Sequence, residues 1–139
     1  MIEGRWFPQG ADISQAIALR QAVFGRGRDS LDDLAQQVVV YREGAPVCTA
    51  RLRWEDGLFR ADGVCVLPAE RGKGYGDLLI RLLLYKAATH GGREVAVLSP
   101  AAAAPFFLRC GFVAVSQGDP VEMRASVDGP CAGCRGCGD

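Results

Sequence analysis

Histidine is almost missing from this chain, and so is any surplus of charge. His90 is the single histidine among 139 residues, and sixteen acidic residues cancel sixteen basic ones. A nucleic-acid binder is expected to carry a basic excess or stripe, and none is present. No apolar run approaches the ~20 residues of a membrane-spanning helix, and the N-terminus lacks the apolar core of a secretory signal. The expectation is a soluble, cytoplasmic protein with neither nucleic acid nor membrane as partner. What is present is ordinary for a globular protein: 49% hydrophobic and 23% charged residues, in a length that suits one domain with a proper core.

The most informative stretch runs from Val64 to Leu79. It begins as an apolar strand, is stopped by Pro68, and passes through Gly72, Gly74 and Gly76 into an apolar-rich helix. Glycine takes positive φ and has no Cβ, so a ligand can approach its backbone closely. The first amides of a helix have no intrahelical acceptor, and the helix dipole adds positive potential there. Arg71 and Lys73 add formal charge at the same place. Together these features describe a phosphate site.

Spacing narrows the ligand. A nucleotide P-loop needs Ser or Thr after Gly-Lys, whereas Gly72-Lys73 is followed by Gly74. The dinucleotide fingerprint needs G-x-G-x-x-G, and the chain has G-x-G-x-G. R-x-x-G-x-G does fit, with Arg71, Gly74 and Gly76 in the fixed places. Following the Val66-x-Pro68 strand end, this block resembles the acetyl-CoA pyrophosphate loop of the GNAT superfamily of N-acetyltransferases. A second segment, Pro105-Phe106-Phe107-Leu108-Arg109-Cys110-Gly111-Phe112, is similar to the family's "x-F-Y-x-x-x-G-F" segment after the fifth strand. Leu19-Arg20-x-x-Val23-Phe24 with Thr49-Ala50-Arg51-Leu52 is similar to the ElaA-like branch.

The order of elements agrees with that resemblance. Residues 2–7 form a first strand ended by Pro8, and Asp12 caps a helix over 13–24 with Ile13, Ile17, Arg20-Gln21 and Phe24 along one face. A short helix follows over 29–35. Strands over 37–41, 47–54 and 58–67 are joined by a turn at Glu43-Gly44-Ala45-Pro46 and a tight hairpin turn at Asp56-Gly57. The helix after the glycine loop covers 77–90 and stops at Gly91-Gly92. Val95-Ala96-Val97-Leu98 is a continuous apolar run, as expected of a strand covered on both faces. A helix over 100–110 and strands over 112–115 and 121–126 complete the chain. The fold class is α/β (α+β): a single GNAT-like domain over 1–126, with a mixed, mostly antiparallel twisted sheet of six to seven strands flanked by helices. Residues 127–139 form a short Cys/Gly-rich tail.

The resemblance implies a function: transfer of an acetyl (acyl) group from acetyl-CoA to a primary amine of a small molecule or peptide. Backbone groups of Val64 and Val66 would pair with the pantetheine arm, and backbone amides from Arg71 through Gly72, Lys73, Gly74, Tyr75 and Gly76 to Asp77 would hold the pyrophosphate. Ser99 falls where the family often places an Asn that bonds the pantetheine; its structural alternative is a helix N-cap before Pro100. An amine must lose a proton before it attacks, and a carboxylate on the strand before the loop often takes it in the family. Asp62 holds that position, and strand alternation places it on one face with Val64 and Val66; Glu55 and Asp56 are lesser options. Asp62-Gly63 also reads as a turn or bulge. The family's thiolate-protonating tyrosine is replaced by Phe107, which leaves Tyr75, Tyr85, Cys110 or water, or departure of the thiolate unaided, since a thiol of pKa about 8.5 is a tolerable leaving group. His90, at a helix end, reads as a solvated residue favoured by the dipole.

Cys48, Cys65 and Cys110 read as small core residues. Cys131, Cys134 and Cys137 form Cys-x-x-Cys-x-x-Cys, which suits zinc or an iron–sulfur cluster given a fourth ligand such as Cys110, Asp139 or another chain. The competing reading is a tail of reduced thiols, so metal ligands stay unassigned. From another functional class comes the alternative of a non-catalytic acyl-CoA-binding module whose cysteine tail senses metal or redox state. The residues do not identify the acceptor or the oligomeric state, and a homodimer is compatible with them.

Overall fold

The computed structural model describes residues 1–128. Its strands are β1 (Ile2–Phe7), β2 (Ala35–Arg42), β3 (Ala45–Glu55), β4 (Leu58–Val66), β5 (Glu94–Ser99), β6 (Val113–Ala114) and β7 (Val121–Ser126). Its helices are α1 (Ser14–Phe24), α2 (Tyr75–Thr89) and α3 (Ala104–Arg109), with 3-10 turns at Ser30–Leu34, Pro68–Glu70 and Ala101–Ala103. The strands form a seven-stranded sheet in the order β1-β2-β3-β4-β5-β7-β6. The pairs β1–β2, β2–β3, β5–β7 and β6–β7 are antiparallel. The expected α/β architecture of a mostly antiparallel sheet with helices is present, at the upper end of the expected strand number.

Both early hairpins close through two-residue turns in which each residue has positive φ: Glu43 and Gly44 at 51° and 82°, Asp56 and Gly57 at 54° and 75°. That is the twist-matched geometry of tight hairpins. It shortens the expected four-residue turn, because Ala45 and Pro46 already belong to β3.

The residues form two compact units. Met1–Trp54 with Ala61–Leu82 make the first. Its β2 is buried along nearly all its length, as a central strand must be. Ile13, Ala16 and Leu19 of α1 pack on Val39, Tyr41 and Cys65. The buried line of α1 therefore runs 13–16–19–20, while Phe24, expected on that face, is exposed. The N-cap is Ile13 rather than Asp12, although the Asp12 carboxylate does accept the Ser14 amide at 2.9 Å. Cys48 and Cys65 are core residues as expected, and burial pushes their thiols up to about 12 and about 11, so both stay protonated at neutral pH.

Glu55–Arg60 and the described residues from Leu83 onward make the second unit. Val95 and Val97 stand opposite Ala125 and Met123, and this face is buried. Leu98, opposite Glu122 on the other face, is 64% exposed. The continuous apolar run thus overstated the cover on β5, which is buried on both faces only as far as Val97. Phe107 meets Phe106 and Phe112 edge-to-face at centroid distances of 5.1 and 5.4 Å. Gly111, at φ 97°, turns the chain so that the Phe112 amide donates to the Phe107 carbonyl at 3.0 Å.

After α2, the Gly92 backbone lies against the Phe59 ring: an added Cβ would sit 2.5 Å from Phe59 Cδ2 and 2.9 Å from the Ala87 carbonyl oxygen. A ring in the core and a helix backbone cannot both yield. Gly92→Ala is therefore expected to cost about 1–3 kcal/mol by overpacking, read as a lowered urea midpoint at unchanged m-value.

Candidate functional site

The site begins where β4 ends. The Leu67 amide still donates to the Val47 carbonyl at 3.0 Å, but Pro68 has no amide to give and opens a 3-10 turn. Gly72 and Gly74 follow with φ of 80° and 87°, values an L side chain tolerates poorly, and nothing lies within 4 Å of where their Cβ atoms would be. The first intrahelical bond of α2 runs from the Leu78 amide to the Gly74 carbonyl at 3.1 Å. The Tyr75 and Gly76 amides therefore precede the helical ladder, at the positive end of the dipole. The helix starts two residues earlier than its sequence pattern implied, so Gly76 lies in its first turn together with exposed Asp77. Arg71, Gly72, Lys73 and Gly74 are exposed. Open glycine backbone leading into a helix N-terminus fits a pyrophosphate group.

The charged side chains of this loop are held by the protein. Arg42 donates to both oxygens of Glu70, at 3.1 and 2.8 Å, and Lys73 reaches the same carboxylate at 3.2 Å. Arg42 and Lys73 keep the Glu70 carboxyl below its ordinary range. Arg71 Nε donates to the Val66 carbonyl at 3.2 Å. Val64 and Val66 are half-buried on β4.

Asp62 departs from the simple strand alternation. Its carboxylate receives Arg51 Nε at 2.6 Å and Nη2 at 3.0 Å, with Arg53 Nη1 at 3.4 Å. Arg51 in turn meets Asp29 and Asp32, and Asp32 is joined to Arg20 of α1 at 2.6 Å. Cys65 packs against α1 as well. Two residues three apart share the α1 side, so the period of two slips by one. The slip falls at Gly63, whose φ is 60° and whose missing Cβ would meet Arg20 Cδ at 3.1 Å. Asp62 consequently lies on the face opposite Val64 and Val66, not on theirs. Glu55 and Asp56 are exposed at the tight turn between β3 and β4.

The network around Arg51 was not anticipated from the sequence. Asp29 caps the Ser30–Leu34 turn in a reciprocal capping box with Asp32. Asp32 is 3% exposed and also accepts Gln37 Nε2 at 3.0 Å. Burial opposes the charge on Asp32, but the Asp29 amide and the Arg20 and Arg51 guanidinium groups outweigh it and hold its carboxyl below the usual range. Asp29 is lowered too, chiefly by its bonds to Arg51. Burial likewise opposes charge on Arg51, yet Asp62, Asp29 and Asp32 raise its pKa above the ordinary arginine value. The available signals were Asp29-x-x-Asp32 at capping-box spacing and Arg51-Leu52-Arg53 inside an otherwise apolar strand.

The second unit holds the remaining expected residues. Ser99 is buried at the end of β5, and its hydroxyl donates to the Pro100 carbonyl at 2.8 Å rather than capping the following turn. Phe107 is buried in its aromatic cluster and carries no proton to give. Tyr85 is exposed, Tyr75 of the first unit is buried, and Cys110 is half-buried at the end of α3. The exposed His90 ring lies 3.0 Å from the Lys86 carbonyl at the end of α2. Cys131, Cys134 and Cys137 lie outside the described residues, among which no cluster of metal-ligating side chains occurs. Among the same residues no helix is long and apolar enough to cross a membrane.

Comparison with known proteins bears on the family and the fold. The family model described as the acetyltransferase (GNAT) domain matches residues 33–114. The uncharacterised N-acetyltransferase YjcF of Bacillus subtilis is 32% identical over 76% of this chain and 81% of its own. The fold is similar to that of an acyl-CoA N-acyltransferase from Pseudomonas aeruginosa, with a TM-score of 0.81, 22% identity, and 90% and 99% of the two chains covered. It is also similar to that of Escherichia coli ElaA, with a TM-score of 0.76, 22% identity, and 90% and 99% covered.

The lowered carboxyl groups make stability depend on acid. Folded-state values of Asp29 and Asp32 lie below the unfolded ones, so their contribution is complete above the unfolded value of about 3.9 and disappears as pH falls through the folded values. Unfolding free energy should decline as pH drops below about 4. Asp32→Asn should lower stability by about 3 kcal/mol at neutral pH, because Arg20 and Arg51 lose a buried counter-charge. Denaturant titrations of that variant between neutral and acid pH should show a flatter decline than the parent protein.

Proposed function

The chain belongs to the GNAT acetyltransferase family and takes its acyl group from acetyl-CoA; on that premise we propose that it acetylates a primary amine of a small molecule or peptide in the cytoplasm. The observation that carries this reading is the loop itself: Gly72 and Gly74 in left-handed conformation with open space beside them, leading into a helix whose first bond begins only at Leu78. In this reading the backbone amides from Arg71 to Asp77 hold the donor's pyrophosphate. The backbone of Val64 and Val66 pairs with its pantetheine arm as an added strand would. Arg71 releases the Val66 carbonyl when the arm arrives.

The acceptor nitrogen attacks the thioester carbonyl, a C–N bond forms and the C–S bond breaks. Asp62, or a water it holds, accepts the proton that the amine sheds. Its carboxylate is oriented by Arg51 and remains one-third exposed, so a substrate or a water can reach it. The leaving thiolate needs no acid from Phe107, because a thiol with a pKa of about 8.5 is a tolerable leaving group and takes its proton from water.

Replacing Asp62 separates the base from the donor site. Asp62→Asn should lower kcat for an amine found by screening by about 100-fold, the usual scale of a lost general base. Its affinity for acetyl-CoA should stay within about twofold of the parent's, since the loop contacts are untouched. A variant that turns over at the parental rate removes Asp62 from the mechanism.

A further inference from the structure

Asp62 is placed by another side chain, and that side chain is buried in the middle of β3. Arg51 is 5% exposed. A guanidinium has five N–H donors in a planar fork. Arg51 uses all five: Nε and Nη2 grip Asp62 at 2.6 and 3.0 Å, Nη1 and Nη2 grip Asp29 at 2.7 and 3.1 Å, and Nη1 reaches Asp32 at 3.1 Å. One planar group thereby carries two bidentate forks pointing in different directions. The first fork orients the carboxylate on β4. The second is anchored in the capping box of the Ser30–Leu34 turn, which is itself fixed to α1 through Arg20 and to β2 through Gln37.

We propose that Arg51 is a positioning residue for acetyl transfer, holding the Asp62 carboxylate in working orientation by bracing it against Asp29 and Asp32. This inference rests on the role given to Asp62 above. Stability alone does not account for the arrangement, since a buried ion cluster is weak evidence for stability and apolar residues often do as well. A clamp does account for it. The slip at Gly63 turns Asp62 toward Arg51, and Asp62 is open enough to meet a substrate while Arg51 is not. Lysine preserves the charge but offers its donors from a single nitrogen, so it cannot make both forks.

Four variants test the proposal: Asp62→Asn, Arg51→Lys, Asp29→Asn and the double Arg51→Lys/Asp62→Asn. For each, kcat and KM for the amine are measured per folded molecule, with the folded fraction read by circular dichroism and acetyl-CoA affinity by calorimetry. Arg51→Lys should lose about 10- to 100-fold in kcat, the scale of a misplaced catalytic group, with acetyl-CoA affinity unchanged. The double variant should be no slower than Asp62→Asn alone, because both changes remove one device. Asp29→Asn, which leaves the fork to Asp62 intact but loosens its brace, should lose about two- to fivefold in kcat, on the scale of a partial displacement. Folded Arg51→Lys with parental kcat, or a double variant whose losses multiply, overturns the proposal. If Arg51→Lys does not fold, Asp29→Asn decides, and parental kcat there overturns it. Asp62→Asn at parental kcat overturns the role of Asp62 and the clamp together, whereas an impaired Asp62→Asn beside a normal Arg51→Lys overturns the clamp alone.

Discussion

Everything proposed for the donor side depends on where α2 begins its hydrogen-bond ladder. Because the first bond joins Leu78 to Gly74, the amides just before it have no partner in the helix. The surroundings keep that end available. Pro68 ends the strand, two left-handed glycines turn the chain without placing a side chain in the way, and Glu70 ties the loop to β2 through Arg42. Lys73 is drawn to Glu70, which leaves open backbone rather than a side chain as the main feature of the cradle. A loop of this kind recognises a pyrophosphate by its shape and its dipole, with formal charge in a supporting role.

β4 separates two kinds of chemistry along one strand. Beyond Gly63, Val64 and Val66 are half-buried, and the role proposed for their backbone is to take up an extended ligand as an added strand. Before Gly63, Asp62 turns to the other face and enters a cluster of charges. One left-handed glycine makes this division, and the Arg20 side chain fills the space that a Cβ would take. Burying so many ionised groups is costly, and the cost is offset by the pairing of the charges, although Arg20 Nε and Gln37 Oε1 are buried without a hydrogen-bond partner. The cluster is better understood as a device for fixed geometry than as a source of stability, because moving any one member leaves the others unmatched.

Local patterns were legible in the sequence, and non-local ones were not. β1 and β7 begin and end where β-branched and alternating residues meet Pro8 or polar turns, and the glycine loop declared itself by spacing. Periodicity misleads where the backbone breaks it. A period of two places Asp62 on the face of Val64, but Gly63 interrupts that period. An apolar run places Leu98 in the core, but Leu98 faces outward opposite Glu122. The clamp was invisible for a different reason. Asp29 and Asp62 lie 22 and 11 residues from Arg51, and only the folding of β3 against β4 and of the capped turn against both brings them together. Nothing in the spacing of three aspartates and two arginines announces a single cluster.

The most direct test of the donor site is calorimetric titration of the protein with acetyl-CoA, beside Gly74→Glu shown to be folded by circular dichroism. At Gly74 φ is 87°, and a glutamate there would add strain and a negative charge at the mouth of the cradle. Saturable micromolar binding to the parent protein, lost in Gly74→Glu, is the result predicted. Equal affinity in the two proteins, or no binding by the well-folded parent, would contradict the assignment of the loop.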